Sequence, residues 1–245
     1  MTYHWHWGIF LTEAIPGQTY LSWLLSGLTL TVSLGLCAWF IGLAIGAVIG
    51  VLRTVSNRWV RAVAAAYVEL FRNIPLLVQL FIWFFVIPEL LPGAIGIWIK
   101  QINPLKQQMI AGVVCLGLYT AARVAEQVRA GIASLPAGQR NAGLALGLSG
   151  AQTYRHVLLP VAFRIMLPPL TSEFMTVFKN SAVMSMIGLL ELAAQGRQLV
   201  DYTSQPYESF TAVTLLYMAI NMSALRVMRW IERKTEIPGL LSGKS

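Results

Sequence analysis

Long apolar stretches alternate with short polar ones along most of the chain. A helix needs about 20 mostly apolar residues to cross a bilayer, and five regions reach that length. The fourth is longer than one span and contains Pro160, Pro168, Pro169 and Gly188. It therefore predicts one spanning helix followed by a shorter, partly inserted piece. The five predicted regions are about 21–52, 60–87, 109–128, 157–199 and 210–230.

The first span carries Gly42, Gly46 and Gly50 at intervals of four residues. Small residues at this spacing share one helical face and let two helix backbones approach closely in lipid. The face predicts either packing within the subunit or a contact between subunits. No internal repeat is visible, which disfavours a transporter built from two inverted halves.

Basic residues are concentrated in alternate connections, which gives the chain an orientation. Cytoplasmic loops are enriched in Lys and Arg, and this predicts an external N-terminus and a cytoplasmic C-terminus. Trp5, Trp7 and Trp23 then fit an outer aromatic belt, and Trp59 and Trp230 fit an inner one. The basic residues assigned to the cytoplasmic side are Arg53, Arg58, Arg61, Arg129, Arg140, Arg155, Arg164, Arg226, Arg229, Arg233, Lys234 and Lys244.

Composition agrees with a membrane protein. Of the 245 residues, 56% are hydrophobic and only 11% are charged, whereas a soluble domain carries about 25% charged residues. The net charge of +8 is explained by the loop asymmetry, and we expect no nucleic-acid binding. We also expect no cleaved signal peptide, because no basic segment precedes a short apolar run with a small-residue cleavage site.

Candidate chemistry is sparse. Cys37 and Cys115 lie within apolar runs, and the three histidines form no cluster with carboxylates or cysteines. No metal site is therefore predicted. No glycine-rich phosphate loop and no nucleophile with its base are recognisable. We expect neither an enzyme nor a cofactor in this chain.

Several charged residues fall inside the predicted spans, where they are costly and tend to be paired or functional. Glu69 and Arg72 are three residues apart, as are Arg123 and Glu126, so each pair could be a local ion pair. The alternative is a polar path through the bundle. Arginine grips a carboxylate with two parallel hydrogen bonds, so Arg72 and Arg123 rank above Lys179 for an acidic ligand. Glu173 and Glu191 also lie at membrane depth.

Residues 134–160 form a polar interruption between spans on the predicted cytoplasmic side. Ser134 can cap a helix near Pro136, and Gly147 can end it. Ser149 and Gln152 have the spacing of a capping box. The segment predicts two short surface helices joined by a tight turn, which a partner could contact.

The same segment resembles the coupling motif of ABC-importer permeases. Its matching parts are Ala142, Gly147 and Val157-Leu158-Leu159-Pro160, with Asn141 where the family usually has Glu. The segments at 69–79, 125–132 and 179–182 resemble, in order, three further signatures of polar amino acid permeases. These motifs cover roughly 20–232. The subgroup of glutamate/aspartate importers is similar in Trp5-x-Trp7-Gly8, in the segment 86–92, in the segment 119–124 and in Asn141.

This resemblance implies an all-α membrane protein of type I ABC importer permease architecture, with about five spans and cytoplasmic coupling helices. It implies one permease domain over 1–245, with a core at 20–232 and a coupling segment at 134–160. For such a protein the candidate substrate path, taken from the charged and polar residues at membrane depth, contains Arg72, Arg123, Glu126, Lys179 and Asn180. The residues implied to couple to an ATPase are Gln139, Arg140, Asn141, Ala142, Gly147 and Pro160.

The resemblance also implies partners. These are a dimer of ATPase subunits that binds ATP and magnesium, a sister permease subunit in a heterodimer or homodimer, and a periplasmic or lipid-anchored solute-binding protein. The implied setting is the lipid of a bacterial inner membrane, and the implied substrate is L-glutamate or L-aspartate. Another polar amino acid, a small secondary transporter or exporter component, and a membrane scaffold remain as alternatives.

Overall fold

The computed structural model describes residues 3–235 and is almost entirely helical there. Residues 1–2 and 236–245, including Lys244 of the predicted basic C-terminus, lie outside the described residues. The helices are α1 Tyr20–Leu52, α2 Arg58–Asn73, α3 Leu76–Phe81, α4 Ile87–Leu90, α5 Gly93–Gln101, α6 Pro104–Ala133, α7 Ala137–Ala145, α8 Gly150–Thr153, α9 Leu159–Asn180, α10 Leu192–Thr203 and α11 Pro206–Thr235. An antiparallel pair, β1 Glu13–Ile15 and β2 Gln18–Thr19, precedes α1.

Within residues 3–235, four helical stretches are long and apolar enough to cross a membrane: Tyr20–Leu52, Pro104–Ala133, Gly150–Ile187 and Pro206–Thr235. A fifth qualifies only if α2 is taken together with Leu76–Leu90. The prediction of about five spans is confirmed if this bent pair of helices is counted as one span. The prediction of one unbroken second span over 60–87 is wrong, because Pro75 has no N–H to donate and Ile74 before it is biased away from helix.

The fourth region also differs from expectation. Pro168 and Pro169 lie inside α9 and do not interrupt it. Packing carries the helix across them, since Leu167 and Leu170 on either side are buried, and membrane helices tolerate proline when neighbours support the freed backbone. The interruption occurs at Gly188, whose φ is 87°. The short helix α10 follows, as predicted.

The chain forms two compact units. The first contains the described residues up to 40, Ile74–Gly117 and Thr176–Met222. Its core includes Leu24, Leu34, Leu116, Met184 and Leu189, each almost completely buried. A Cβ on Gly112 would lie 2.8 Å from Leu34 Cδ1, so α6 packs tightly against α1 in this unit.

Buried Glu191 joins three elements of the first unit. Its carboxylate caps α10 by accepting from the backbone N–H groups of Ala193 at 3.0 Å and Ala194 at 2.8 Å. Tyr217 of α11 donates its hydroxyl proton to the same carboxylate at 2.6 Å, and Thr31 of α1 lies at 3.4 Å. These four hydrogen bonds satisfy the buried carboxylate, which has no exposed surface. Glu191 is therefore explained as structural.

A second carboxylate of the same unit holds the N-terminal segment. Glu208, at the start of α11, accepts hydrogen bonds from the Tyr3 hydroxyl at 2.5 Å and the His6 backbone N–H at 2.7 Å. The hydrogen bond to this carboxylate raises the pKa of Tyr3 to about 12. The contact orders an aromatic group in which Trp5 and Trp7 are stacked 5.2 Å apart.

The second unit contains Ile41–Asn73, Leu118–Met175 and the described residues from 223 onward. Gly46 and Gly50 of α1 face α6 here. A Cβ on Gly46 would lie 2.6 Å from the Ala121 carbonyl oxygen, and one on Gly50 would lie 2.5 Å from Val128 Cβ. For Gly46 and Gly50, packing within the subunit accounts for the small-residue spacing.

Candidate functional site

The segment between α6 and α9 folds as a helix, a glycine turn and a capped second helix. Gly147 has φ 81°, in the left-handed region that glycine reaches at little cost. Leu148 N–H donates to the Gly143 carbonyl at 3.2 Å and ends α7. Ser149 and Gln152 form the reciprocal capping box, with bonds of 3.3 and 2.8 Å. The predicted stop and capping box are both confirmed.

Two details of this segment were predicted wrongly. Ser134 does not cap α7, because its hydroxyl donates to the Gly131 carbonyl of the preceding helix at 2.8 Å. Pro136 occupies the N-cap position instead. The second helix is also not separate, because α8 continues through the π-helical turn Tyr154–Leu158 directly into α9.

Contacts within the second unit hold this segment against the connection that follows α1. Tyr154 donates to the Thr54 carbonyl at 2.9 Å, and Arg140 Nη2 donates to Ser56 Oγ at 3.3 Å. Gly143 lets α7 approach α8 closely, since a Cβ there would lie 2.8 Å from Thr153 Cγ2. The segment is therefore a fixed platform.

The platform presents most of the predicted coupling residues to its surroundings. Arg140, Asn141, Ala142, Gly147 and Pro160 are exposed, and Gln139 is half-buried. Leu146 is 82% exposed, a large apolar side chain with little cover from its own chain. This combination of a rigid base and an exposed apolar tip fits a protein contact.

The first charged cluster is a two-point ion pair between α6 and α9. Arg123 Nε lies 2.6 Å from Glu173 Oε2, and Arg123 Nη2 lies 2.9 Å from Glu173 Oε1. The Tyr119 ring centre lies 5.9 Å from the guanidinium carbon. Arg123 is about 15 Å along the axis from the C-terminal end of α6, which is about half of a hydrocarbon core.

The second charged cluster surrounds Glu126, one turn further along α6. Its carboxylate is paired with Arg53, which follows α1, and with Arg129, whose Nη2 lies 2.5 Å from Oε1. Arg72 of α2 approaches more loosely, with Nη1 3.8 Å from Oε2. One carboxylate thus faces three guanidinium groups, and the cluster carries an excess of positive charge.

These partners replace the local ion pairs that the spacing suggested. Arg123 pairs with Glu173 and not with Glu126, and Arg72 approaches Glu126 and not Glu69. Among the residues that the structure describes, Glu69 takes part in no ion pair. The local pairs are wrong because α6 and α2 each have a charged neighbour on another helix.

The predicted path residues thus fall into separate places. Arg72 and Glu126 meet in the second cluster, and Arg123 lies in the first. Lys179 and Asn180 end α9 in the other unit, and Lys179 is exposed without an ion pair among the described residues. Glu173, Arg53 and Arg129 were missed as partners. The available signal was Glu173 itself, since a carboxylate within an apolar helix calls for a cation nearby.

No metal site is apparent in the part of the chain that the structure describes. Over residues 3–235, no three His, Cys, Asp or Glu side chains are close enough to hold an ion. The first unit contains an open cavity of about 540 Å³, lined by Gly188, Leu189, Arg197 and Asp201 among others.

Comparison with known proteins adds independent evidence. The chain is 52% identical to the glutamate/aspartate import permease protein GltJ of Escherichia coli K12 over 246 aligned positions, which cover both proteins completely. It is 32% identical to the glutamine transport system permease protein GlnP of the same strain, over 80% of this chain and 85% of that one. It is 30% identical to the permease protein GltK of E. coli O6:H1, over 91% and 97%.

Solved structures agree in fold. A crystal structure of an amino acid ABC transporter with histidines matches 88% of this chain and 95% of its own, with a TM-score of 0.73 and 30% identity. The MetNI methionine ABC transporter gives the same TM-score at 23% identity and supports the fold alone. Residues 42–237 match the family model described as the inner membrane component of binding-protein-dependent transport systems. The chain therefore belongs to this family of membrane permease subunits.

Proposed function

We propose that this chain is a permease subunit of an ATP-driven importer for the acidic amino acids L-glutamate and L-aspartate. The main support for the proposed substrate is the full-length identity of 52% to a permease named for glutamate/aspartate import. The Arg123 cluster supports it, because a guanidinium at membrane depth suits an anionic ligand. Another polar amino acid is the alternative, favoured by the weaker similarity to the glutamine permease.

The energy for transport enters through other polypeptides in this proposal. A dimer of ATPase subunits binds ATP and magnesium and docks on the segment around α7. A second permease subunit, different or identical, completes the path, and a solute-binding protein delivers the amino acid outside. The basic loops support a cytoplasmic position for α7, with the N-terminus outside and the C-terminus inside.

Uptake by cells tests the substrate. A strain that lacks its own acidic amino acid importers receives the chain together with its neighbouring transport genes, and uptake of labelled L-glutamate, L-aspartate and L-glutamine is measured. We expect the two acidic amino acids to accumulate and to compete with each other. Accumulation of glutamine alone would refute the proposed substrate.

Gly147→Trp tests the proposed dock. The indole would project from the exposed turn, where a Cβ on residue 147 would have no other described atom within 4 Å, so it obstructs a partner without a clash inside the subunit. We expect co-purification of the ATPase to fall at least several-fold. Gly147→Ala is the matched control, because it carries the same backbone strain of about 1–2 kcal/mol at positive φ without the bulk. Equal recovery of the ATPase with both variants would argue against docking at this turn.

A further inference from the structure

Arg123 already holds a carboxylate in this structure. Both oxygens of Glu173 accept hydrogen bonds from the same guanidinium, at 2.6 and 2.9 Å. An amino acid carboxylate would use this same parallel two-bond arrangement on an arginine. Glu173 thus occupies one edge of Arg123 as a permanent part of the protein.

The two members of the pair differ in burial. The side chain of Glu173 is 9% exposed, whereas that of Arg123 is 38% exposed. A guanidinium carries five N–H bonds, of which two point at Glu173. Tyr119 also interacts with Arg123, and the remaining N–H bonds are available to other acceptors. Arg123 is therefore the more accessible member of the ion pair, and a second carboxylate can approach it while Glu173 stays in place.

We infer that Glu173 is a positioning residue that aims the open edge of Arg123 at an acidic amino acid and weakens the resulting contact by neutralising the guanidinium. This inference rests on the proposed function. An unneutralised guanidinium at membrane depth would attract an anion strongly, because charges interact more strongly at low dielectric than in water. A transport site must bind well enough to admit its ligand and weakly enough to release it, and Glu173 sets that balance.

The inference predicts a charge-specific effect. L-Glutamate and L-glutamine have nearly the same shape but differ by one negative charge. Removing the charge of Glu173 therefore changes the affinity for glutamate more than the affinity for glutamine. A residue that only stabilised the fold would change neither affinity selectively.

The test is Glu173→Gln in the complete transporter, purified with its ATPase and second permease subunit and placed in lipid nanodiscs. Binding of labelled L-glutamate and L-glutamine is measured without the solute-binding protein. We expect glutamate to bind about ten-fold more tightly than to the unmodified transporter, and glutamine to change less than about two-fold. The maximal uptake rate in cells falls because release becomes slower. Glu69→Gln, at an exposed carboxylate, is the matched control and changes neither quantity.

A charge exchange keeps the inference falsifiable if the single variant does not fold. Arg123→Glu combined with Glu173→Arg preserves the ion pair and the net charge, but it places the carboxylate at the accessible position. We expect this transporter to assemble and to lose glutamate binding. Glutamate binding at the original strength would show that the pair is only structural.

The two hypotheses fail in different ways. Absence of glutamate and aspartate uptake by the unmodified transporter would refute the proposed function. Normal glutamate uptake by the unmodified transporter, with the same ratio of glutamate to glutamine affinity in Glu173→Gln, would refute only the role of Glu173.

Discussion

Replacement of Arg123 by alanine should lower glutamate uptake by about 100-fold, because the variant loses the charge-assisted, two-bond contact that we propose for the substrate. The expectation rests on the position of Arg123 at membrane depth and on its partly exposed guanidinium. Initial rates of labelled glutamate uptake measure the effect, normalised to the amount of subunit in the membrane.

The single variant also leaves Glu173 buried without its cation, which by itself can destabilise the subunit. Arg123→Ala combined with Glu173→Gln removes that unpaired charge and serves as the control. We expect the double variant to retain the ATPase on purification and still to transport poorly. Near-normal glutamate uptake by the double variant would exclude Arg123 from the substrate path.

Glu126→Ala should have the largest effect on stability. Glu126 pairs with Arg53 and Arg129 and lies 3.8 Å from Arg72, so its removal leaves three guanidinium groups facing one another. Loss of one partner from a buried ion pair lowers the free energy of unfolding by about 3–5 kcal/mol. Because Glu126 is partly exposed, we expect a decrease of about 3 kcal/mol. The amount of folded subunit in the membrane and its thermal midpoint in detergent should both fall clearly.

Glu69→Ala provides the comparison for that loss. It removes the same charge from an exposed position on α2, and surface substitutions usually change stability by less than about 0.5 kcal/mol. If the two alanine variants lowered the thermal midpoint equally, the Glu126 cluster would contribute nothing special to the fold.

The helices were largely predictable because their signals are local. The apolar run that forms α1 begins and ends within a residue of its predicted bounds, and the turn at Gly147 follows from glycine stereochemistry and the Ser149 capping box. The break at Pro75 was also encoded locally. It was missed because the apolar residues on both sides of this proline favoured one continuous span.

The charged clusters were predictable only as a set of residues in need of partners. Arg123 and Glu173 are far apart in sequence, and spacing along a helix favoured Glu126 as the partner. The choice between Glu126 and Glu173 as the partner of Arg123 depends on how α6 packs against α9 and α1. No local sequence pattern encodes that packing. The glycine turn and capping box of residues 134–160 were better predicted than the ion pairs for this reason.

The continuity of α8 and α9 has a mechanical consequence. From the capping box at Ser149 to Glu173 the backbone passes through no loop, so this stretch is a single rod roughly 35 Å long at 1.5 Å per residue. Pro168 and Pro169 remove two amide donors from it just before Glu173, and a helix bends most easily where its ladder lacks such bonds. The π-helical turn Tyr154–Leu158 and Pro160 weaken the ladder in the same way beside the platform, so this stretch has two points at which it bends most easily, one at each end.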